Sequence, residues 1–411
     1  MKALSTFGKG KRLSGFNAVR VGARLLKHSA KYPLYRHTGI PKILPKYARI
    51  SVTDMCDSRC NMCHIWTLHK TDTEATNKYP KHSDFVDTPK LRSEMTFEEF
   101  KQFVDNNPFL EDIMLTGGQT SLKKDIVKYW LYLDEKGYRT GGPTNTVDPE
   151  NVIAVQGELL SKLSGKHTHS IAVSVDGLGD MHDKIRGVKG GFEGALKFLA
   201  WAREQQKKYP FFDVSISHNL TPENFRDFPK FVDYFVNLGY KPNQITFRPT
   251  QGLTRFALKT PTATQIISDK SDAMKQELLT MLDGMRAKYK EYDDYYVRGI
   301  REFYEHQRKH VIPCYAGYNT FFADAYWNVY PCAPEMNERF KIGNLRENGF
   351  VLKPLWESER IKKIQDDIKN EKCVNCWTRC HSAQSTMASP TRLLKVFKDN
   401  AWRVISKPDH I

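Results

Sequence analysis

Arg49-Ile50-Ser51-Val52-Thr53 alternates polar and apolar side chains, and Asp54-Met55 carries it directly into Cys56-Asp57-Ser58-Arg59-Cys60-Asn61-Met62-Cys63. Period-two alternation followed by a polar run reads as a strand and then a loop. The loop presents three thiols in the spacing C-x-x-x-C-x-x-C. Four thiolates close a tetrahedral zinc site or complete the ligation of an iron–sulfur cubane; three on a cubane leave one iron open to a substrate or cofactor. His64 follows Cys63 directly, and as a fourth ligand it would close a zinc site instead. Its adjacency to Cys63 reads more simply as a loop position.

Outward from this loop the chain alternates strand and helix. Thr96 and Glu99 form a capping box that opens a helix through Phe97, Phe100 and Phe103. Asp112-Ile113-Met114-Leu115-Thr116 reads as a buried strand running into Gly117-Gly118. Helices are expected near 126–136, 150–163, 192–206 and 225–238, and strands before Asn145 and at 170–175, 213–219 and 244–248. Six strands alternating with helices imply an α/β chain built as an open (β/α)6 barrel, with its site on the face where the strands end. The polar stretch 67–93 is longer than an ordinary connection and reads as a lid or an insert. No internal repeat is evident.

The chain has 411 residues with 63 Lys and Arg against 47 Asp and Glu, long enough for one large domain and a smaller one. No apolar run reaches membrane-spanning length, and the basic start lacks the apolar core of a secretory signal. The charge is uneven. Residues 1–50 hold seven Lys, five Arg and no acid, which leaves 51 basic against 47 acidic residues, +4, for the remainder. A nucleic-acid-binding protein more often spreads its cations over one face of the fold, so that class falls away.

All eight cysteines lie in two groups. The second comprises Cys314, Cys332, Cys373, Cys376 and Cys380. Cys314 and Cys332 flank an aromatic stretch in which Trp327-Asn328-Val329 reads as a turn into a strand, so a hairpin would bring their thiols together. Tight C-x-x-C spacing in a cytosolic chain points to metal or cluster ligands rather than disulfides. Four cysteines of this kind are also an ordinary structural zinc pattern.

Over residues 46–250 the sequence resembles the radical S-adenosylmethionine (radical SAM) superfamily, on the strength of Cys56, Cys60 and Cys63 after the first strand. The resemblance implies a partial β/α barrel and a catalytic [4Fe–4S] cluster. Its open iron would chelate S-adenosylmethionine, and cleavage would give a 5′-deoxyadenosyl radical that abstracts a substrate hydrogen. It also implies an electron donor such as flavodoxin or ferredoxin. Ser174-Val175-Asp176-Gly177, with His182-Asp183 and Arg186-Gly187, is similar to the family's segment after the fourth strand. There Ser174 and Asp176 would reach the cofactor's ribose and carboxylate, although either alone is as readily a strand-end cap. Met62 stands where many members place an aromatic against adenine. Gly117, Gly118 and Gln119 stand where the family usually reads Gly-Gly-Glu-Pro; Gln119 accepts from the cofactor's amine without charge assistance, at a cost of ~1 kcal/mol or more.

The second cysteine group resembles the auxiliary-cluster modules called SPASM and Twitch, in the one-cluster form. That resemblance implies a second [4Fe–4S] cluster on Cys314, Cys332, Cys373 and Cys376, with Cys380 spare or an exchangeable fourth ligand. Such a cluster would accept an electron from a substrate radical and make the net reaction an oxidation.

The expected domains are a basic amphipathic segment at 1–45, the barrel at 46–250, a helical connector at 251–310, the auxiliary module at 311–385 and an amphipathic helix at 386–411. About 45 residues before the first strand are too few for the winged-helix leader-binding domain of many peptide-modifying relatives. On a helix over 13–31, Arg20, Arg24, Lys27 and Lys31 share one face. It reads either as packed on the barrel or as lying on an anionic membrane surface. The expected protein is a cytoplasmic or membrane-peripheral radical SAM oxidoreductase or modifying enzyme. Its substrate is a sugar-like small molecule, a lipid-linked intermediate or a peptide. The rival is a non-catalytic zinc or iron–sulfur module docking acidic partners.

Overall fold

The computed structural model describes residues 29–63, 65–69, 88–250, 271–305, 311–374 and 376–394, without the side chains of Cys380 and His381. Most of the helix expected over 13–31, most of the polar stretch 67–93, the segment that follows β6 and most of the C-terminal helix lie outside them. The strands are β1 (Tyr47–Ser51), β2 (Asp112–Thr116), β3 (Thr140–Thr144), β4 (His169–Ser174), β5 (Phe212–Leu220), β6 (Ile245–Pro249), β7 (Thr320–Ala323), β8 (Asn328–Tyr330) and β9 (Gly343–Asn344). Helices longer than five residues are α1 (Lys31–Thr38), α2 (Phe97–Asn106), α3 (Ile126–Glu135), α4 (Pro149–Lys162), α5 (Asp180–Arg186), α6 (Gly191–Lys208), α7 (Phe228–Asn237), α8 (Asp272–Lys288), α9 (Tyr295–Glu305), α10 (Glu359–Lys369) and α11 (Arg379–Met387).

The six expected strands form and run parallel. β1 pairs with β2, and β3–β4–β5–β6 make a second ladder. β3 lies beside β2 without regular pairing, so the barrel wall continues across the break. The ladder of β1 begins at Tyr47, two residues before the alternation does, because Tyr47 faces both Asp112 and Thr320. The capping box forms as expected: Thr96 Oγ1 accepts from the Glu99 amide at 3.2 Å, and the Glu99 carboxylate accepts from the Thr96 amide at 2.9 Å.

One pairing has no sequence signal. β7 runs parallel to β1 on the side opposite β2, with Tyr47 opposite Thr320 and Ile50 opposite Ala323. β8 and β9 then add antiparallel, so the cysteine-bounded module extends the barrel's own sheet. The core is correspondingly continuous. Ala48, Ile50, Ile113 and Leu115 of the barrel pack in one cluster with Phe321, Trp327, Val329, Trp356 and Ile361 of the module. Glu99 seals this junction by pairing with Arg346 at 2.7 Å and accepting from the Trp327 indole at 3.3 Å.

The connector helices α8 and α9 bury Leu278, Leu282, Tyr296 and Ile300 in the same core as β4–β6. The described end of the basic segment, α1, packs Tyr32 and Tyr35 edge-on against Tyr315 and Tyr318. It therefore docks on the cysteine-bounded module, with Tyr32 also close to Tyr47 of β1 and to Glu111. No helix among the described residues is long and apolar enough to cross a membrane.

Candidate active site

The loop Cys56–Cys63 leaves the carboxyl end of β1 and is gripped from two sides. On the first, the β2 terminus lies against its lead-in: the Gly118 amide donates to the Thr53 carbonyl at 2.8 Å and the Gln119 amide to the Met55 carbonyl at 2.7 Å. A Cβ at Gly118 would stand 2.0 Å from the Met55 carbonyl oxygen. The glycine thus lets the β2 backbone approach the cysteine loop itself. Gly118→Ala is expected to cost about 3 kcal/mol or more, since backbone on backbone cannot give way. Thermal unfolding of the variant, compared with Gly284→Ala, checks this. A Cβ at Gly284, inside α8, meets nothing within 4 Å, and that change is expected to be neutral or stabilising.

Gln119 is buried, and its amide braces the strand ends. Its nitrogen donates to Ser121 Oγ at 2.8 Å and to Thr144 Oγ1 at 2.9 Å; its oxygen accepts from the Asn145 backbone amide at 3.1 Å. Asn145 passes the connection on, donating from Nδ2 to Asp57 Oδ1 at 2.6 Å and toward Cys56 Sγ at 3.8 Å. Thus β2 and β3 orient the first cysteine through a relay of neutral amides.

On the second side α5 presents its C-terminus. Arg59 and Asn61 donate their backbone amides to the carbonyls of Arg186 and Ile185 at 2.9 and 3.0 Å. Ser58 Oγ lies 3.1 Å from Cys60 Sγ and 3.2 Å from the Arg186 carbonyl oxygen. The Arg186 guanidinium is buried between Asp176, at 2.6 Å, and Cys60 Sγ, at 3.7 Å. Asp176 also accepts from the Asn219 amide at 2.6 Å and from Asn219 Nδ2 at 3.1 Å. Burial alone would raise the Asp176 carboxyl, but Arg186 and the Asn219 donors outweigh it and hold it below the usual carboxylate range. His182 Nδ1 accepts from the Asp176 amide at 3.0 Å, and the His182 imidazole is pushed down to about 4 by burial. Ser174 ends β4 opposite Ser217, and Met62 is half-buried in the cysteine loop.

The donor set fits a cluster. Burial, then Asp57 and the two other thiols, push the Cys56 thiol well up, so thiolates here need a compensating cation. A bound metal supplies it and deprotonates a coordinating thiol outright. The donors from Asn145 and Arg186 already point at two of the sulfurs.

The second group also converges. Burial raises the Cys376 thiol and so do Cys314 and Cys373; burial raises Cys332 together with Cys376 and Cys314; and Cys373 is pushed up to about 12 by burial and by Cys314. Cys332 is buried and Cys314, Cys373 and Cys376 are half-buried, near enough to raise one another's thiols. Glu335 fixes the C-x-x-C loop by accepting from the Val374 amide, and the Trp377 indole donates to the Tyr296 carbonyl at 2.9 Å. From α1, Arg36 donates to the Cys314 carbonyl at 3.3 Å. Cys380 starts the first turn of α11, and its side chain lies outside the described ones.

Asn145, Ser58, Asn219, Glu335 and Arg36 carry no motif that singles them out in the sequence. Apart from Ser58, which sits within the cysteine loop, contacts between distant parts of the chain reveal them, as between Asn145 and Cys56, 89 residues apart.

Comparison with known proteins agrees with this geometry. Residues 50–235 match the profile of the radical SAM superfamily, and residues 314–377 match SPASM, an iron–sulfur cluster-binding domain. Fe-coproporphyrin III synthase of Methanosarcina barkeri is 29% identical over 172 residues, 41% of this chain; the match spans only 39% of that protein's own length. The sporulation killing factor maturation protein of Bacillus subtilis is 22% identical over 83% of this chain and 72% of its own. Among solved structures, anSMEcpe with bound AdoMet superposes over 89% of this chain and 100% of its own, with a TM-score of 0.52 at 16% identity. Streptococcus suis SuiB bound to precursor peptide SuiA superposes over 87% of this chain and 73% of its own, with a TM-score of 0.53 at 14% identity. The chain belongs to the radical SAM superfamily and carries a C-terminal SPASM iron–sulfur cluster-binding domain.

Proposed function

We propose that the protein is a peptide-modifying radical SAM enzyme that removes two hydrogens from its substrate, with Cys56, Cys60 and Cys63 holding the catalytic [4Fe–4S] cluster. Cys314, Cys332, Cys373 and Cys376 hold one auxiliary cluster. Bound there, the cofactors supply hydrogen-atom abstraction at the first site and an acceptor for the remaining electron at the second. The observation that carries the two-site reading is the β1–β7 ladder. Because β7 runs parallel to β1 and β8 returns antiparallel, Cys314 ahead of β7 and Cys332 past β8 lie toward the end of the shared sheet where β1 begins, so the two thiol groups stand at opposite ends of one wall. The peptide class is supported by the B. subtilis maturation protein, which aligns over most of both chains, and by the peptide-bound SuiB neighbour.

The protein's own groups bind, orient and exclude water. Gln119 and Asn145 hold Cys56, the α5 terminus holds Cys60, and the shared core of barrel and module keeps the wall between the sites dry. The test compares the peptides and polar metabolites of a deletion strain with those of the parent by mass spectrometry. A peptide lighter by two hydrogens in the parent alone is expected. A sugar, lipid-linked or porphyrin metabolite that changes instead overturns the peptide class.

Gln119→Glu is the second test at this site. The Ser121 and Thr144 hydroxyls rotate to donate to a carboxylate, and the Asn145 amide still donates, so the brace survives. The added charge would assist binding of the cofactor's cationic amine by ~1 kcal/mol, about fivefold in Kd. Anaerobic calorimetry with S-adenosylmethionine measures it. Unchanged or weaker binding would assign Gln119 to bracing the strands alone.

A further inference from the structure

Arg186 is the last residue of α5, and Gly187 ends that helix in the left-handed region at φ 68°. A Cβ at position 187 would stand 2.3 Å from the Arg59 carbonyl oxygen, so the helix end is pressed against the cysteine loop. The guanidinium that emerges there is nine-tenths buried and has two partners facing it, the Asp176 carboxylate and the Cys60 sulfur. Asp176 is itself fixed by Asn219 and, through its carbonyl, by Asn224 Nδ2 at 2.7 Å. The cation therefore cannot swing away to solvent. Asp176, which the sequence suggests as a cofactor contact, has its carboxylate occupied by this pair.

We propose that Arg186 is a positioning residue that sets the reduction potential of the catalytic cluster, donating an N–H to Cys60 Sγ while Asp176 fixes its direction and balances its charge. The inference rests on Cys56, Cys60 and Cys63 being the cluster thiolates. Adding an electron makes a cluster more negative, so a buried cation and an N–H···S bond stabilise the reduced form. Removing the cation disfavours reduction, and removing the balancing carboxylate favours it. A brace with no electronic role has no reason to respond with opposite signs.

The test uses the full chain, anaerobically reconstituted, as Arg186→Met, Arg186→Lys and Asp176→Asn. Iron per chain is measured first. Redox titration followed by electron paramagnetic resonance is then read on the signal that changes when S-adenosylmethionine is added. Arg186→Met is expected to keep its iron and to lower the reduced-to-oxidised ratio at fixed potential about tenfold, which is about 59 mV for one electron. Arg186→Lys is expected to stay within threefold of the parent, and Asp176→Asn to move the ratio upward. Iron-replete Met and Asn variants that shift in the same direction, or not at all, overturn the proposal. Should the Met variant lose iron, Arg186→Lys decides: parent-like iron and potential support the charge role, and loss of iron there overturns it in favour of a brace. Failure of the cluster assignment is distinguishable, because the parent would then show no signal that responds to S-adenosylmethionine.

Discussion

Cys60→Ala is expected to abolish reductive cleavage of S-adenosylmethionine to 5′-deoxyadenosine and to lower iron from about eight to about four per chain. Cys60 is the most enclosed thiol of the first loop, with Ser58 Oγ at 3.1 Å and Arg186 Nη1 at 3.7 Å, and the neighbouring carbonyls of α5 hold its loop. Loss of one of three thiolates therefore strands the cluster, whereas the module's cysteines keep theirs. Chromatography of the nucleoside product and iron analysis check both halves. Persistent cleavage in a protein with all three cysteines replaced would remove the assignment.

Cys376→Ala is expected to lower iron by about four as well, with the opposite consequence for chemistry. Cofactor cleavage in the absence of substrate should continue, because the first loop and its supports from β2, β3 and α5 are untouched. Formation of the oxidised product should stop. Cys376 is placed by the turn between the Glu335–Val374 bond and the Trp377 indole seated on α9; it is half-buried, and burial with the neighbouring Cys314 and Cys373 raises its thiol. Iron that stays near eight in this variant, and falls only when Cys380 is also replaced, would show Cys380 substituting as the fourth ligand. A stoichiometric zinc in the parent would remove the electron-acceptor role of the module.

Much of this was legible without coordinates. Strand periodicity and the Thr96–Glu99 box are local patterns, and side-chain alternation and helix caps need only a few neighbouring residues to express themselves. The same holds for the cysteine spacings, since a loop of eight residues brings its own thiols together wherever it is placed. The sequence by itself therefore determined a parallel β/α barrel opening on three thiols and a second module bounded by four. What it did not determine are the contacts that hold those thiols. β7 joins β1 across more than 260 residues of chain, Asn145 reaches Cys56, Arg186 reaches Cys60, and α1 reaches Cys314. Each joins an ordinary polar or strand-forming residue to a distant one, and nothing in its own neighbourhood distinguishes it. Such pairs exist only because burying the shared core first fixes the elements beside one another, after which most enclosed donors find an acceptor. The cluster's thiolates are thus written in the sequence, whereas the field around them is decided by the tertiary fold.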